Sequence, residues 1–248
     1  MTDNGSALAI DSEPAPAERL VRLRERYGHL DGAELIQAVA TQEFTGTIAV
    51  NSSFGAEAAV LLHLVARVDK SIPVLFIDTC RHFPETLRYR DRIGELFGLT
   101  NIQVIGPSEE TVKRLDPDGT LAYRDPDACC AFRKVEPLSR ALEKFDAVIG
   151  GRKRYHGGSR GDLPTIEYDG THFKINPLVR WTREEVESAY EDYNIPQHPM
   201  VEDGFLSIGC MPCTERTAPG DDIRSGRWAG QAKTECGIHR APWMGENI

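Results

Sequence analysis

Two pairs of cysteines are spaced so that they could share one inorganic group. Cys129 and Cys130 are consecutive, and Cys210 and Cys213 enclose Met-Pro. A Cys-x-x-Cys turn presents two thiolates close together, a common arrangement for zinc or iron–sulfur ligation. Consecutive side chains diverge, so Cys129 and Cys130 can serve one cluster only by binding different irons where the backbone bends. Tetrahedral zinc usually draws on spaced pairs. The residues favour iron–sulfur and leave zinc open; a disulfide between Cys129 and Cys130 would be strained.

Cys236 stands outside that set, in Lys-Thr-Glu-Cys-Gly-Ile-His. Gly237 gives its backbone freedom, and His239 shares its face if the segment is helical. A nearby cation raises the thiolate fraction that a nucleophilic cysteine needs. Arg133 and Lys134 follow the first cysteine pair, and Arg224 and Arg227 form Arg-Ser-Gly-Arg. Spaced arginines recognise phosphate through forked donors. Taken singly, these are an unpaired tail cysteine and solvated charges; together they describe a site for a compact anion.

A third feature is the turn Asn51-Ser52-Ser53-Phe54-Gly55-Ala56. Serine hydroxyls, a small glycine and a following helix N-terminus supply donors and positive potential for phosphate. The turn lacks Gly-Lys-Ser/Thr, so it is not a Walker A loop, and it looks like a degenerate loop of the adenine-nucleotide α-hydrolase kind. By itself it also fits an ordinary Ser/Gly turn ahead of a helix.

The elements that must hold these residues follow from hydrophobic periodicity. Residues 18–27 and 33–42 have helical spacing, with Asp31 as N-cap of the second. Strands are expected at Thr47–Val50, Pro73–Ile77, Ile102–Ile105 and Ala147–Ile149, with helices after the first, at Pro84–Phe97 and at Phe132–Phe145. Gly150–Gly161 is a glycine-rich basic loop. Ile166–Tyr168 and His172–Ile175 form a hairpin around Asp169-Gly170, and Thr182 caps a helix over Arg183–Tyr193. Alternating strands and helices predict one α/β domain, with a mostly parallel twisted sheet flanked by helices.

Three segments result: a disordered, solvated leader (1–18), the α/β domain (19–214), and a flexible tail with Arg224, Arg227 and Cys236 (215–248). The chain has 248 residues, 40% of them hydrophobic, and a net charge of −9. No basic run offers a broad nucleic-acid surface. No stretch has the apolar length of a membrane span, and the acidic N-terminus lacks the order of a secretory signal. Those features make the cytoplasm the expected location. Grouped cysteines in a reducing compartment are ligands or reactive thiols rather than disulfides.

At this point the chain resembles the assimilatory adenylyl-sulfate reductases, within the wider phosphoadenylyl-sulfate reductase family. The matching segments, in family order, are SSFGAEAAV, LFIDTCRHFPET, CCAFRKVEPL, FKINPL, SIGCMPCT, RSGRW and KTECGIH. The resemblance implies that Cys129, Cys130, Cys210 and Cys213 bind one 4Fe–4S cluster, and that Cys236 is the nucleophile. Lys134, Arg224, Arg227 and His239 would surround a phosphosulfate, with Arg160 from the basic loop beside them. Ser52, Ser53, Phe54 and Gly55 would form the nucleotide loop, and Ile77 and Gly151 would frame the adenosine. Cys80 departs from the pattern, standing where glycine is usual.

The implied activity is reduction of adenosine 5'-phosphosulfate (APS) to sulfite and AMP, in assimilatory sulfate reduction and cysteine biosynthesis. Thioredoxin, or a glutaredoxin-like thiol donor, would be the partner, and homo-oligomerisation stays open. The alternatives are a reductase of 3'-phosphoadenylyl sulfate (PAPS) or of both substrates, an ATP-using tRNA-thiolating enzyme, and a non-catalytic metal sensor.

Overall fold

The computed structural model describes residues 15–231 and 233–239. Its strands are β1 (Ile48–Asn51), β2 (Val74–Ile77), β3 (Ile102–Ile105), β4 (Ala147–Ile149), β5 (Ile166–Tyr168) and β6 (Phe173–Ile175). Strand side chains point alternately to opposite faces, and here both faces are apolar. Ile48, Val50, Val74, Phe76, Ala147 and Ile149 enter one layer, and Ala49, Leu75, Ile77 and Val148 enter the other. The strands form one sheet in the order β3-β2-β1-β4-β6-β5. All neighbours are parallel except the antiparallel hairpin β5–β6. The expected single α/β domain with a mostly parallel sheet is therefore the fold observed.

The helices are α1 (Pro16–Tyr27), α2 (Gly32–Gln42), α3 (Ala58–Val68), α4 (Pro84–Phe97), α5 (Glu109–Leu115), α6 (Leu121–Arg124), α7 (Pro126–Cys130), α8 (Glu136–Leu142) and α9 (Arg183–Asp192). The apolar stripes of α1 to α4 and α9 cover the larger layer. Leu138 and Leu142 of α8, with Phe145, cover the other. No helix among the described residues is long and apolar enough to cross a membrane.

Local signals explain most boundaries. Thr182 accepts from the Glu185 N–H at 3.2 Å while Glu185 accepts from the Thr182 N–H at 2.6 Å, closing the capping box of α9. Pro84 opens α4 and Gly98, at φ 65°, ends it.

Four expectations change. Asp31 occupies the N-cap position of α2 without capping it, because its carboxylate turns towards Arg180 at 3.5 Å. The leader expected through residue 18 ends sooner, since Pro16 opens α1; residues 1–14 lie outside the described residues. Helical structure expected from Phe132 starts at Pro126, where Asp125 accepts from the Ala128 N–H at 2.9 Å. The cysteine pair thus sits inside a helical run, just before a π-helical turn (Ala131–Val135). Finally, the polar stretch after β3 holds two short helices, α5 and α6, too brief to show a periodic stripe.

The topology fixes where a ligand can sit. From β1 the chain builds β2 and β3 on one side, then returns to β4 on the other. The reversal leaves a crevice at the C-terminal ends of β1 and β4, the usual ligand position in open α/β sheets.

Candidate active site

A pocket of about 220 Å³ opens at that crevice. The turn after β1 forms one wall, through Ser52, Ser53 and Gly55, and Gly150–Lys153 after β4 forms another. Ser207, Ile208 and Gly209 close a third side. Gly55 allows a close approach: a Cβ there would stand 3.0 Å from the Ile208 carbonyl oxygen, tighter than most side chains tolerate. Ile77 and Gly151 line the same space, as do Lys134, Arg160, Arg224, Arg227, Cys236 and His239. One cavity thus gathers residues scattered over most of the sequence.

Phe54 is the exception among the expected binding residues. Its ring is fully buried and meets Phe76 edge-on at 5.6 Å, so it belongs to the core. Its main chain still shapes the loop: φ is 48°, and its N–H donates to Ser52 Oγ at 3.2 Å. A left-handed backbone at an aromatic residue is uncommon, and burial of the ring holds it there.

The four paired cysteines are buried, and none forms a disulfide. Cys129 and Cys130 come from the end of α7, where the π-helical turn supplies the backbone change that a consecutive pair needs. Cys210 and Cys213 come from a 3₁₀ turn (Met211–Cys213) that is pinned to the loop after β2. The Met211 N–H donates to the Arg81 carbonyl at 2.8 Å, and Thr79 Oγ1 lies 3.2 Å from Cys210 Sγ. Burial pushes the Cys129 and Cys213 thiols up, and Cys130 up to about 12. Burial acts on Cys210 in the same sense, but Lys134, the Thr79 hydroxyl and Arg227 bring its thiol below the ordinary value.

Among the described residues, no group of three or more His, Cys, Asp or Glu side chains is arranged to hold a metal ion. Four buried thiols, contributed in pairs by two segments with a lysine against them, fit a group that takes one thiolate per iron. Lys134 links this group to the pocket. Burial would lower its ammonium, yet Cys210, Cys236 and Cys130 hold it above the usual lysine value.

Cys236 is half-buried and lines the pocket together with the nucleotide-type turn. Its segment is not helical, and Gly237 has φ 87°, a left-handed value that glycine adopts at little cost. His239 also differs from expectation. Burial, reinforced by Arg152, Arg160, Lys174 and Arg224, pushes its imidazole well below the ordinary histidine value. It is a neutral group at the site rather than a cation, and Lys134 supplies the positive charge near Cys236. Arg227 is aimed by its Nε donating to the Cys213 carbonyl at 3.0 Å and by stacking on Trp228, 4.4 Å from the ring centroid.

Sequence reasoning missed the carboxylates. Glu57 accepts from Lys153 at 2.7 Å and from the Tyr155 hydroxyl at 2.8 Å, and lies 2.9 Å from His156. Burial would raise its carboxyl, but Lys153 and His156 hold it far below the usual range. Glu235 accepts a forked pair from Arg160 and lies 3.3 Å from Arg224. The neighbouring Cys236 is the only local signal for Glu235. Cys80 is exposed at φ 56° and is absent from the pocket wall.

Comparison with known proteins agrees with this geometry. The family model for the phosphoadenosine phosphosulfate reductase domain matches residues 47–216. The adenosine 5'-phosphosulfate reductase of Mesorhizobium japonicum is 48% identical over 229 residues, covering 92% of this chain and 90% of that one. The phosphoadenosine 5'-phosphosulfate reductase of Gloeobacter violaceus is 39% identical over 211 residues, covering 83% and 88%. Among solved structures, the phosphoadenylyl-sulfate reductase of Candida auris in its phosphate complex superposes with a TM-score of 0.66. It is 26% identical, and the match covers 81% of this chain and 98% of that one. With most of its length matched and the pocket at the sheet's switch point, the chain belongs to the phosphoadenosine phosphosulfate reductase family.

Proposed function

We propose that the chain reduces APS to sulfite and AMP with electrons from a thioredoxin-type dithiol, in sulfate assimilation for cysteine synthesis. One observation carries this reading. Cys236, separate in sequence from the two buried cysteine pairs and packed against the cluster that holds Cys129 and Cys213, shares a pocket with Lys134, Arg224, Arg227 and the nucleotide-type turn. The cytoplasm supplies the reducing surroundings that the free thiols require.

The residues divide the reaction as follows. Ser52, Ser53 and the main chain of the turn hold the nucleotide, while Ile77 and Gly151 border the adenosine. The Cys236 thiolate attacks the sulfonyl sulfur. An S–S bond forms, the S–O bond breaks, and AMP leaves with the bonding pair. Negative charge grows on the departing phosphate, so Lys134, Arg224 and Arg227 act most strongly in the transition state. A donor thiolate then attacks Cys236 Sγ and releases sulfite with the S–S bonding pair. The donor's second thiol resolves the mixed disulfide and restores the Cys236 thiolate. Both electrons come from the dithiol.

Cys129, Cys130, Cys210 and Cys213 would hold one 4Fe–4S cluster. When bound, such a cluster supplies a structural cross-link and a charge whose field reaches Lys134. Lys134 and Thr79 orient the sulfur of Cys210 from the pocket side.

The higher identity to the adenosine 5'-phosphosulfate reductase of Mesorhizobium japonicum than to the phosphoadenosine 5'-phosphosulfate reductase of Gloeobacter violaceus favours APS over PAPS. Arg152 and Lys153, the cations lining the pocket beyond those already named, are paired with Glu167 and Glu57. Arg160 and Arg224 are paired with Glu235 in the same way, so ion pairing alone does not separate the two substrates. Anaerobic sulfite release from each substrate, with thioredoxin supplied, tests the reading. We expect a higher kcat/KM with APS; a preference for PAPS reverses the substrate, and sulfite from neither overturns the function.

A further inference from the structure

The residue preceding Cys236 is bound more tightly than a tail residue needs to be. Glu235 Oε1 accepts from Arg160 Nε at 2.8 Å and Oε2 accepts from Arg160 Nη2 at 3.0 Å. Arg224 Nη2 approaches Oε1 to 3.3 Å from the other side. This is the planar bidentate geometry in which guanidinium–carboxylate pairs are strongest. The Glu235 side chain is 21% exposed, and those of Arg160 and Arg224 are 11% and 18% exposed, so solvent screens the group little.

Arg160 is itself fixed from behind. Its Nη1 donates to His156 Nδ1 at 3.2 Å, and because a guanidinium only donates, that nitrogen must be the acceptor. The proton of the neutral imidazole is then on Nε2, which donates to Glu57 at 2.9 Å. Glu57 precedes α3 and follows the nucleotide-type turn. A continuous chain of polar contacts thus runs from Glu57 through His156 and Arg160 to Glu235, one residue from the nucleophile. Lys233 paired with Asp127, and Lys174 Nζ donating to the His239 carbonyl at 2.9 Å, anchor the segment on either side.

We infer that Glu235 is a positioning residue: its clamp between Arg160 and Arg224 docks the tail and places Cys236 in the pocket. The inference extends the proposed reaction and predicts which half-reaction depends on the clamp. Formation of the Cys236 adduct needs a docked tail, whereas discharge to a protein thiol needs Cys236 to be reachable. Glu235 therefore supports the first step and not the second.

The test uses the full-length protein and Glu235→Gln, with Glu235→Asp as the conservative variant, at matched iron content. Hydrogen exchange in the peptide spanning residues 233–239, measured without substrate, is expected to quicken about tenfold or more in Glu235→Gln and to recover partly in Glu235→Asp. In single turnover with APS, adduct formation on Cys236 is expected to slow by a similar factor in Glu235→Gln. Release of sulfite from preformed adduct by thioredoxin, and the affinity for AMP, should stay within about twofold. Unchanged exchange in Glu235→Gln overturns the clamp. So does adduct formation at the wild-type rate with AMP held several times more tightly, which would make Glu235 a competitor for the substrate's arginines. If wild-type protein forms no adduct at all, the proposed reaction fails, and the exchange comparison still decides the clamp.

Discussion

Gly209 faces the guanidinium of Arg227 so closely that a Cβ on Gly209 would stand 2.4 Å from Nη2. The glycine before the Cys210–Cys213 turn thus sets the path of a pocket arginine. Its own N–H donates to Thr214 Oγ1 at 3.1 Å, and Thr214 forms an isolated bridge with Arg227. The second cysteine pair and Arg227 are therefore held by one set of contacts.

Gly209→Ala should consequently damage catalysis more than folding. The colliding atoms are at the far end of a flexible side chain, so Arg227 can swing away, at the cost of its Nε bond to the Cys213 carbonyl and its place over Trp228. In the proposed reaction its guanidinium would then leave the position where phosphate charge develops. We expect kcat/KM to fall about tenfold or more, equivalent to ~1.4 kcal/mol of transition-state stabilisation, with iron retained and Tm lowered only slightly. Wild-type kcat/KM in Gly209→Ala would show that Arg227 needs no such path.

The buried thiols can be tested separately from the pocket. Anaerobically purified protein should carry about four irons and four sulfides per chain. Cys210→Ser should lose most of that iron, and activity with it, because a serine oxygen is a poor substitute for a buried thiolate ligand. Zinc at about one per chain in fully active protein, without iron or sulfide, would assign a different metal to the four thiols.

A pH dependence of stability follows from His198, which does not line the pocket. The ring is fully buried against Tyr89; Nδ1 accepts from the Met200 N–H at 3.2 Å, and Nε2 lies 3.1 Å from Thr86 Oγ1. Burial, opposed weakly by Glu85, pushes its value down to about 4. The unfolded chain therefore binds the proton first. Stability from the neutral ring is complete above the ordinary histidine value, and it falls with pH until the folded form also protonates near 4. The loss should reach about 3 kcal/mol across that window, as roughly 1.4 kcal/mol per unit implies. Denaturant unfolding from pH 7 to 4, compared with His198→Gln, measures it; parallel curves for the two proteins would remove His198 as the cause.

What could be read from sequence was what sequence places side by side. Cys129-Cys130, Cys210 with Cys213, and the turn at Ser52–Gly55 announce themselves by spacing, and the parallel sheet follows from short apolar runs between helices. Other features depend on three-dimensional placement. Phe54 lies within the nucleotide-type turn, yet its ring belongs to the core because a left-handed φ turns it away from the pocket. His239 looks like a cation beside Cys236 until four surrounding basic groups and burial keep it neutral. Glu235 finds its partner Arg160 across 75 residues, a pairing that no local pattern encodes.

The division of labour between Cys236 and the buried thiols gives the last prediction. Cys236 lines the pocket and lies apart from the four thiols in the chain, so it should carry chemistry without holding metal. Cys236→Ser should keep its iron and bind AMP normally, yet release no sulfite, since a serine hydroxyl is a far weaker nucleophile at neutral pH. Wild-type protein given APS without a thiol donor should gain about 80 Da, one SO3 group, on the peptide containing Cys236. Adding thioredoxin should remove that mass and yield an equivalent of sulfite. Cys80 is the internal control, because it is exposed and does not line the pocket. An adduct on Cys80, or normal turnover by Cys236→Ser, would move the nucleophile elsewhere. Loss of iron in Cys236→Ser would make it a ligand and undo the separation between chemistry and metal.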